Sequence, residues 1–350
     1  MSQDNELELL VEALSRFGEE HRSARDPESE GFDRDAWNVL SDLGFTGLGI
    51  AEDSGGSGGT LVEAITACEV LARYGVQVPL GDHAVVAGWL CELAGWEVAT
   101  SPVAVAIADQ SSVQVVSGPG GLVLEGRVTQ MAWAQCADRL IVVVKNEGNC
   151  DVCLVDAKAC SISNGTNMAG EPRDTVSFKS ASPDEVWHGD VSIADEAFLR
   201  GALVRTAESS GALYRVVELA RDHVTQRTQF GKPLGSFQAV RHRLAEIAEE
   251  TAVTRVAVRV AAERSVEEIA ELPVICAKLQ SARAATIVSA GAHQLLGAIG
   301  TTEEHELGRH TRRLWSWRDE YGREEQWARN LGRRLVEAGE EMLWPEITQG

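Results

Sequence analysis

The segment Arg227-Thr-Gln-Phe-Gly-Lys-Pro-Leu-Gly-Ser-Phe-Gln238 separates two long stretches in which apolar residues recur at helical spacing. Gly231, Pro233 and Gly235 are unfavourable inside a helix. The sequence therefore predicts two long helices that are joined by a short loop, and the rest of the chain is arranged around this junction.

The predicted loop carries groups that suit a nucleotide diphosphate. Arg227 can direct two hydrogen bonds onto one phosphate group. Phe230 offers an aromatic face, Gly231 permits close backbone approach, and Gln238 supplies an amide. An ordinary helix-loop-helix with a surface arginine is the more frequent origin of such a composition, so the residues alone leave both interpretations open.

Length and charge exclude several classes of protein. The 350 residues are enough for two or three domains with a sizeable core. The formal net charge of −21 argues against binding to nucleic acid or to an anionic membrane surface. The sequence shows neither a basic secretory n-region nor an apolar run of about 18 residues. We therefore expect a cytoplasmic protein without a membrane span.

The cysteines give no indication of a disulfide framework or a metal site. There are seven, an odd number, scattered along the chain, which indicates a reducing compartment. Cys150 and Cys153 form a CxxC pair near Cys160, but no second pair and no matching histidine pair accompany them. We expect no zinc site and interpret these cysteines as part of a strand.

Three regions of different periodicity follow one another along the chain. Residues 1–97 have helical spacing, residues 98–192 hold short β-type runs between turn residues, and residues 193–350 hold long helices with short links. This order predicts an α+β protein with an N-terminal helical domain, a small middle β domain that is a sandwich or barrel, and a C-terminal helical bundle. The bundle helices are expected at residues 194–226, 237–264, 267–296, 304–315 and 324–338.

Three blocks resemble segments of the flavin-dependent acyl-CoA dehydrogenase family. Residues 227–238 resemble its signature loop, Gln294-Leu-Leu-Gly-Ala-Ile-Gly300 its Gln-x-x-Gly-Gly-x-Gly segment, and residues 43–59 its N-terminal glycine-rich turn. The blocks occur in family order. The resemblance implies FAD as cofactor, dehydrogenation of an acyl-CoA thioester in lipid metabolism, and an electron-transferring flavoprotein as electron acceptor. The glycine-rich block lacks the Lys-Ser/Thr of a P-loop and is interpreted as a tight turn.

The resemblance also assigns cofactor-binding residues, all of them in the two C-terminal blocks. In the family these blocks bind the ADP half of FAD. The matching positions are Arg227, Gln229, Phe230, Gln238, Gln294, Gly297 and Ala298. Ala298 replaces the second glycine of the family pattern and adds a methyl group near the expected pyrophosphate.

A catalytic glutamate is missing from both places where the family puts it. This glutamate removes the α-proton of the substrate, a role for which burial can raise the pKa of a carboxyl group. In the segment Glu320-Tyr-Gly-Arg-Glu-Glu-Gln326 the aligned position holds Tyr321, and in the helix before the signature loop it holds Gly201. Glu320, one residue away, is the remaining weak candidate for a base.

The flavin-ring contacts are weakly matched as well, by residues 108–112 and 131–134. In the family's oligomers one chain supplies ring and substrate contacts, and its neighbour supplies the ADP contacts. This chain keeps the neighbour's half and lacks its own. The pattern is similar to the short subunits of the α2β2 acyl-CoA dehydrogenases of bacterial steroid degradation, which implies a heterotetramer whose second subunit supplies the base.

Two other hypotheses stay open from the sequence. The first is a self-sufficient homotetramer that uses Glu320 or Glu324 as an unconventional base. The second is a flavin-free structural protein that reuses the fold for assembly. Flavin content separates the second from both enzyme hypotheses, and substitution of the two glutamates separates the first from the heteromer.

Overall fold

The computed structural model describes residues 3–24, 31–118, 120–265 and 268–339. The chain forms two compact units. The first comprises Met1–Pro27, Ile65–Val76 and Arg205–Gly350, and the second comprises Glu28–Ala64 and Gln77–Val204. Each unit thus combines segments that are distant in sequence. The predicted division of the chain at residues 97 and 192 follows sequence order and stays a prediction.

Helices dominate both ends of the chain. They are α1 Gln3–Ala24, α2 Arg34–Asp42, α3 Leu61–Tyr74, α4 Trp89–Ala94, α5 Ser192–Gln226, α6 Gln238–Arg264, α7 Glu271–Leu296, α8 Leu307–Asp319 and α9 Glu324–Ala338. A π-helical segment, Asp82–Gly88, leads into α4. None of the helices in the described part of the chain is both long and apolar enough to cross a bilayer.

The second unit contains two four-stranded sheets. Its strands are β1 Val103–Asp109, β2 Val113–Gly118, β3 Gly121–Ala132, β4 Arg139–Lys145, β5 Asn149–Asp156, β6 Ser161–Ser163, β7 Arg173–Ala181 and β8 Glu185–Asp190. One sheet has the order β1-β4-β5-β8 and the other β2-β3-β7-β6. Only β1 and β4, of the strand pairs in these sheets, run parallel.

Apolar residues of both sheets share one buried core. Leu140 and Val142 of β4 lie in the same cluster as Leu124 of β3 and Phe178 of β7. This arrangement is that of a β-sandwich. Because β4 is central, every residue from 140 to 144 is buried, which explains its continuous apolar run.

Strands β6 and β8 are weakly marked in the sequence. Both are edge strands, and their sequences, Ser-Ile-Ser and Glu-Val-Trp-His-Gly-Asp, are polar. Edge strands have one hydrogen-bonding side open and carry polar residues that discourage pairing with other chains. Their hydrophobic signal is therefore weak.

The glycine-rich block at residues 43–59 is a tight turn, as predicted. The Gly58 N–H donates to the carbonyl of Ile50 at 2.8 Å, and the Gly49 N–H donates to the carbonyl of Gly58 at 2.9 Å. A Cβ atom at Gly56 would lie 2.2 Å from the same Ile50 carbonyl oxygen, so only glycine permits this approach. The block folds back on its own backbone.

The first unit is a helical bundle whose core combines α5, α6, α7 and α8. Leu213, Val216 and Ala220 of α5 are buried in this core at helical spacing. A Cβ atom at Gly211 would lie 1.9 Å from the carbonyl oxygen of Glu69. Glycine at this position thus lets α5 pack directly against the backbone of α3.

Two bundle helices differ from their predicted bounds. Helix α7 begins at Glu271, and Pro273 lies in its first turn, where a missing N–H costs little. Helix α8 begins at Leu307 and extends to Asp319. His305 accepts the Leu307 N–H at its Nδ1 atom over 3.1 Å, so a side chain satisfies one of the free donors at the helix start.

Candidate functional site

The predicted loop between α5 and α6 is a small β-hairpin. Residues 228–229 pair antiparallel with residues 232–233, and Phe230 and Gly231 form the turn. Both turn residues have positive φ angles, +53° and +79°. Two consecutive positive φ angles are those of a type I′ turn, whose twist matches the strands that it joins.

Phe230 occupies the tip of this hairpin. It is 88% exposed, and a left-handed backbone costs a residue other than glycine roughly 1 kcal/mol. Its ring contacts Phe237 edge-on with 6.1 Å between centroids. The ammonium of Lys232 lies 4.4 Å from the centroid of the Phe237 ring. A strained and exposed aromatic residue is typical of a ligand or partner contact.

Arg227 lies at the base of the hairpin. Its N–H donates to the carbonyl of His223 at 2.9 Å, and its carbonyl accepts the Leu234 N–H at 2.8 Å. These bonds fix the Arg227 backbone on both sides, while the side chains of Arg227 and Gln229 are exposed. No carboxylate in the described ranges forms an ion pair with Arg227, so its guanidinium can take an external anion.

Gln238 is the first residue of α6 and is exposed. Its Nε2 atom lies 2.8 Å from Nε2 of His242, one turn further along the helix. The neighbouring Arg241 donates from Nε to the carbonyl of Gly235 at 2.8 Å. The start of α6 therefore fixes the segment that follows the hairpin and presents an amide beside it.

The second predicted segment forms the end of α7. Gln294, Gly297 and Ala298 are all exposed. Gly297 ends the helix with φ +65° and ψ −143°, a conformation that requires glycine. No heavy atom lies within 4 Å of the position of a Cβ atom at Gly297, which leaves room for a ligand to approach the backbone. The methyl group of Ala298 belongs to this same open surface.

Histidines connect the two segments. Burial, and then the charge of His305, lowers the pKa of both His223 and His293. Arg227 lowers the pKa of His223 further. His223 lies one turn before Arg227, and His293 precedes Gln294 in the chain. The structure thus brings the hairpin base and the end of α7 into the same part of the first unit.

These groups fit the ADP part of a nucleotide cofactor. They provide a fixed cation for a phosphate group, an exposed aromatic ring, amides, and a glycine backbone with free space in front of it. The signature-loop residues and the α7 residues are therefore compatible with their predicted roles, which stay predictions.

The two stretches expected to contact a flavin ring lie in the second unit. Residues 108–112 form the end of β1 and the turn after it, and residues 131–134 follow from β3. Trp133 is buried, with the guanidinium of Arg173 5.9 Å from its ring centroid. Arg173 forms an ion pair with Glu171 at 3.4 Å, and both side chains are 3% exposed. The aromatic and charged side chains here are engaged with one another.

Glu320 is held in a buried charge cluster. Its Oε2 accepts from Nε of Arg205 at 2.6 Å, and Arg205 also donates to Glu208 at 2.8 Å. The Nζ atom of Lys278 donates to the carbonyl of Trp317 at 2.8 Å. Lys278 is 2% exposed, and its burial lowers its pKa to about 7, an effect that Glu320 opposes. The role of Glu320 as a base stays a prediction.

The two positions that align with the family's glutamate offer no carboxylate. Tyr321 has a positive φ of +52°, and the guanidinium of Arg205 lies 5.7 Å from its ring centroid. Gly201 lies about one turn before Arg205 on α5. The position predicted to align with the base therefore holds an aromatic residue beside a buried cation.

The CxxC cysteines belong to β5, as predicted. Cys150 and Cys153 are both buried and, three residues apart in a strand, point to opposite faces. Cys150 donates to the carbonyl of Asp190 at 3.3 Å. Burial raises the pKa of the Cys153 thiol to about 12. No group of three or more potential metal ligands occurs in the part of the chain that the structure describes.

The sequence analysis overlooked Arg205 and Lys278. A signal was present, because Lys278 lies at helical spacing from Val274 and Ala282 on the apolar face of α7. A lysine on such a face is rarely buried without a partner. It could have indicated an internal charge cluster.

Comparison with known proteins agrees with the geometry. The family model "Acyl-CoA dehydrogenase, C-terminal domain" matches residues 191–336, and the model "Acyl-CoA dehydrogenase, N-terminal domain" matches residues 4–97. Together they cover about two thirds of the chain. The chain is 25% identical over 310 residues to the acyl-CoA dehydrogenase IpdE2 of Mycolicibacterium smegmatis, with 86% of this chain and 90% of that protein covered.

Two solved structures share the fold. The crystal structure of the ChsE4-ChsE5 complex from Mycobacterium tuberculosis aligns with a TM-score of 0.86 at 24% identity, over 97% of this chain and 99% of that chain. A variant of the Tcur3481-Tcur3483 steroid ACAD aligns with a TM-score of 0.83 at 20% identity, over 96% and 99%. The chain therefore belongs to the acyl-CoA dehydrogenase family, whose cofactor is FAD.

Proposed function

We propose that this chain is one subunit of a heteromeric acyl-CoA dehydrogenase that oxidises the α,β bond of a CoA thioester. One observation carries the proposal. The residues predicted to bind the ADP half of FAD are all exposed, whereas neither position predicted for the catalytic glutamate holds a carboxylate. A chain of this kind can complete a cofactor site in a partner but cannot remove the substrate's α-proton at the usual place.

Different residues of the first unit would contact different parts of the ADP half of FAD. Arg227 neutralises and orients the pyrophosphate, and Phe230 supplies an aromatic contact. Gly297 exposes backbone, and Ala298 borders the same surface. Gln229, Gln238 and Gln294 supply amide hydrogen bonds. Bound FAD would supply the hydride-accepting chemistry at the β-carbon of the substrate.

The partner is a second acyl-CoA dehydrogenase subunit that carries the base and the flavin-ring contacts. The ChsE4-ChsE5 structure is described as a complex, and the Tcur3481-Tcur3483 protein is described as a steroid enzyme. Their similarity to this chain supports a heterotetramer and a bulky, steroid-like acyl group. The complex would act in the cytoplasm and pass its electrons to an electron-transferring flavoprotein.

Flavin content tests the proposal. We expect little or no FAD in the chain purified alone, and about one FAD per pair of chains when it is co-expressed with the product of a neighbouring dehydrogenase gene. Flavin absorbance combined with the native mass gives this ratio. One FAD per chain in a homo-oligomer would contradict the proposal. Absence of flavin from both preparations would favour the structural-protein hypothesis.

The self-sufficient homotetramer is a second candidate, because Glu320 lies next to the aligned base position. We expect the Glu320→Gln and Glu324→Gln variants of the complex to keep turnover within about twofold, since a base in the partner does not depend on them. Glu325→Gln is the matched control on the exposed start of α9. Thermal unfolding identifies any loss that comes from breaking the Arg205 ion pair. Loss of turnover in a stably folded variant would support the homotetramer.

A further inference from the structure

Three histidines lie near the residues predicted to bind ADP, which are at the hairpin base and at the end of α7. They are His223 on α5, His293 on α7, and His305 between α7 and α8. The chain has a net charge of −21, so a group of side chains that can become cationic differs from its surroundings. Burial lowers the pKa of both His223 and His293, His305 lowers both further, and Arg227 also lowers that of His223.

Two of the neighbouring carboxylates form ion pairs with arginines. Glu306 forms ion pairs with Arg215 and Arg22, and Asp222 pairs with Arg221 at 2.8 Å. The remaining nearby acids, Glu303 and Glu304, are exposed residues of the loop that carries His305.

Hydrogen bonds define which nitrogen of His305 can donate. Its Nδ1 accepts the N–H of Leu307 at 3.1 Å. The neutral ring therefore carries its proton on Nε2. His305 is half-buried, so this Nε2–H is held by the helix start in one orientation and can serve as a donor to a ligand.

In His293, one ring nitrogen contacts a hydroxyl group and the other lacks a hydrogen-bond partner. Its Nε2 lies 3.1 Å from Oγ1 of Thr311, and that hydroxyl donates to the carbonyl of Gly308 at 3.3 Å. The Nε2–H therefore donates to the hydroxyl oxygen. Nδ1 is buried and has no hydrogen-bond partner in the described chain. A proton on Nδ1 becomes favourable when an anion is close by.

We propose that His223, His293 and His305 are anion-binding residues of this site, and that with Arg227 they neutralise the pyrophosphate of an adenine nucleotide. The inference rests on the proposed function, because it assigns the residues to the same ADP-binding surface. A bound anion stabilises the protonated rings of His223 and His293, while His305 contributes a hydrogen bond from its Nε2–H.

A consequence is that nucleotide binding takes up protons. The pKa values of His223 and His293 are lowered in the free chain, and a bound pyrophosphate raises them. By linkage, affinity then increases as the pH falls through the range of these pKa values. We expect ADP to bind about tenfold more tightly near pH 6 than near pH 8, since one linked proton changes affinity by at most about tenfold per pH unit.

Calorimetric titration of the flavin-free complex of this chain and its partner with ADP tests this inference. Titrations in buffers with different ionisation enthalpies report proton uptake directly, without any enzymatic activity. The triple variant His223→Gln/His293→Gln/His305→Gln is expected to bind ADP with less than about twofold dependence on pH. His188→Gln is the matched control, because His188 lies on β8 in the second unit and its side chain is 67% exposed.

The outcomes separate this inference from the proposed function. ADP binding that requires Arg227 but takes up no protons would overturn the histidine roles and leave the proposed function in place. ADP binding that is unchanged by Arg227→Ala, or no binding at any pH, would contradict both. Inorganic phosphate that competes as strongly as ADP would overturn the assignment to a nucleotide. Near-ultraviolet circular dichroism verifies that each variant is folded.

Discussion

Replacing Arg227 with alanine is expected to weaken FAD binding by the complete complex by about 30- to 100-fold, which corresponds to roughly 2 to 3 kcal/mol for lost hydrogen bonds to a charged group. The hairpin fixes the Arg227 backbone through bonds to His223 and Leu234. The effect should therefore come from the missing guanidinium and not from a change in the loop. Fluorescence titration of the flavin-free complex with FAD measures the loss.

Two further variants show whether that loss is specific to the Arg227 guanidinium. Arg227→Lys keeps the charge but loses the planar donor pair, so an intermediate loss is expected. Arg221→Ala is the matched control, because Arg221 lies on the same helix, is exposed, and pairs only with Asp222 among the carboxylates of the described residues. A loss of less than about threefold in Arg227→Ala would show that Arg227 does not bind a phosphate of the cofactor.

In the wild-type protein we expect the free energy of unfolding to rise by about 3 kcal/mol between pH 7 and pH 9.5. Replacing Lys278 with methionine is expected to abolish this rise. Burial lowers the pKa of Lys278 to about 7 in the folded chain, whereas a lysine in an unfolded chain titrates near pH 10.4. Between these values the unfolded state binds more protons than the folded state. The stability of the wild-type protein therefore increases with pH across this window.

Denaturant unfolding at several pH values between pH 7 and pH 9.5 gives the free energy of unfolding as a function of pH. The slope with pH is diagnostic, because methionine also leaves the Trp317 carbonyl without its lysine donor and changes the absolute stability. Lys158→Met is the matched control, since Lys158 is an exposed residue of the second unit. An unchanged slope in Lys278→Met would mean that Lys278 is charged throughout this range.

Periodicity and turn residues were sufficient to predict most of the fold. The long helices α5 and α6 have their predicted bounds within two residues, because each ends at Gly, Pro or polar residues that stop a helix. The start of α8 was placed three residues too early, because acidic residues favour the start of a helix without fixing it. There the His305 side chain decides the position of the first turn.

The candidate site could be predicted only where its signal is local. The hairpin and the end of α7 carry their chemistry in contiguous motifs, so the sequence suffices to propose their function. The cluster of Arg205, Glu208, Lys278 and Glu320 combines three distant parts of the chain. Its contacts depend on helix packing, and no spacing rule relates residues so far apart. The same holds for the effect of His305 on the pKa values of His223 and His293.

The hairpin between α5 and α6 has a kinetic consequence. Its shape is determined by local hydrogen bonds and by the two positive φ angles at Phe230 and Gly231. The surface is therefore already formed before a cofactor arrives, and capture need not wait for a loop to become ordered. Loading of the cofactor should then follow second-order kinetics, with a rate that increases linearly with FAD concentration and shows no plateau from a slow rearrangement of this subunit.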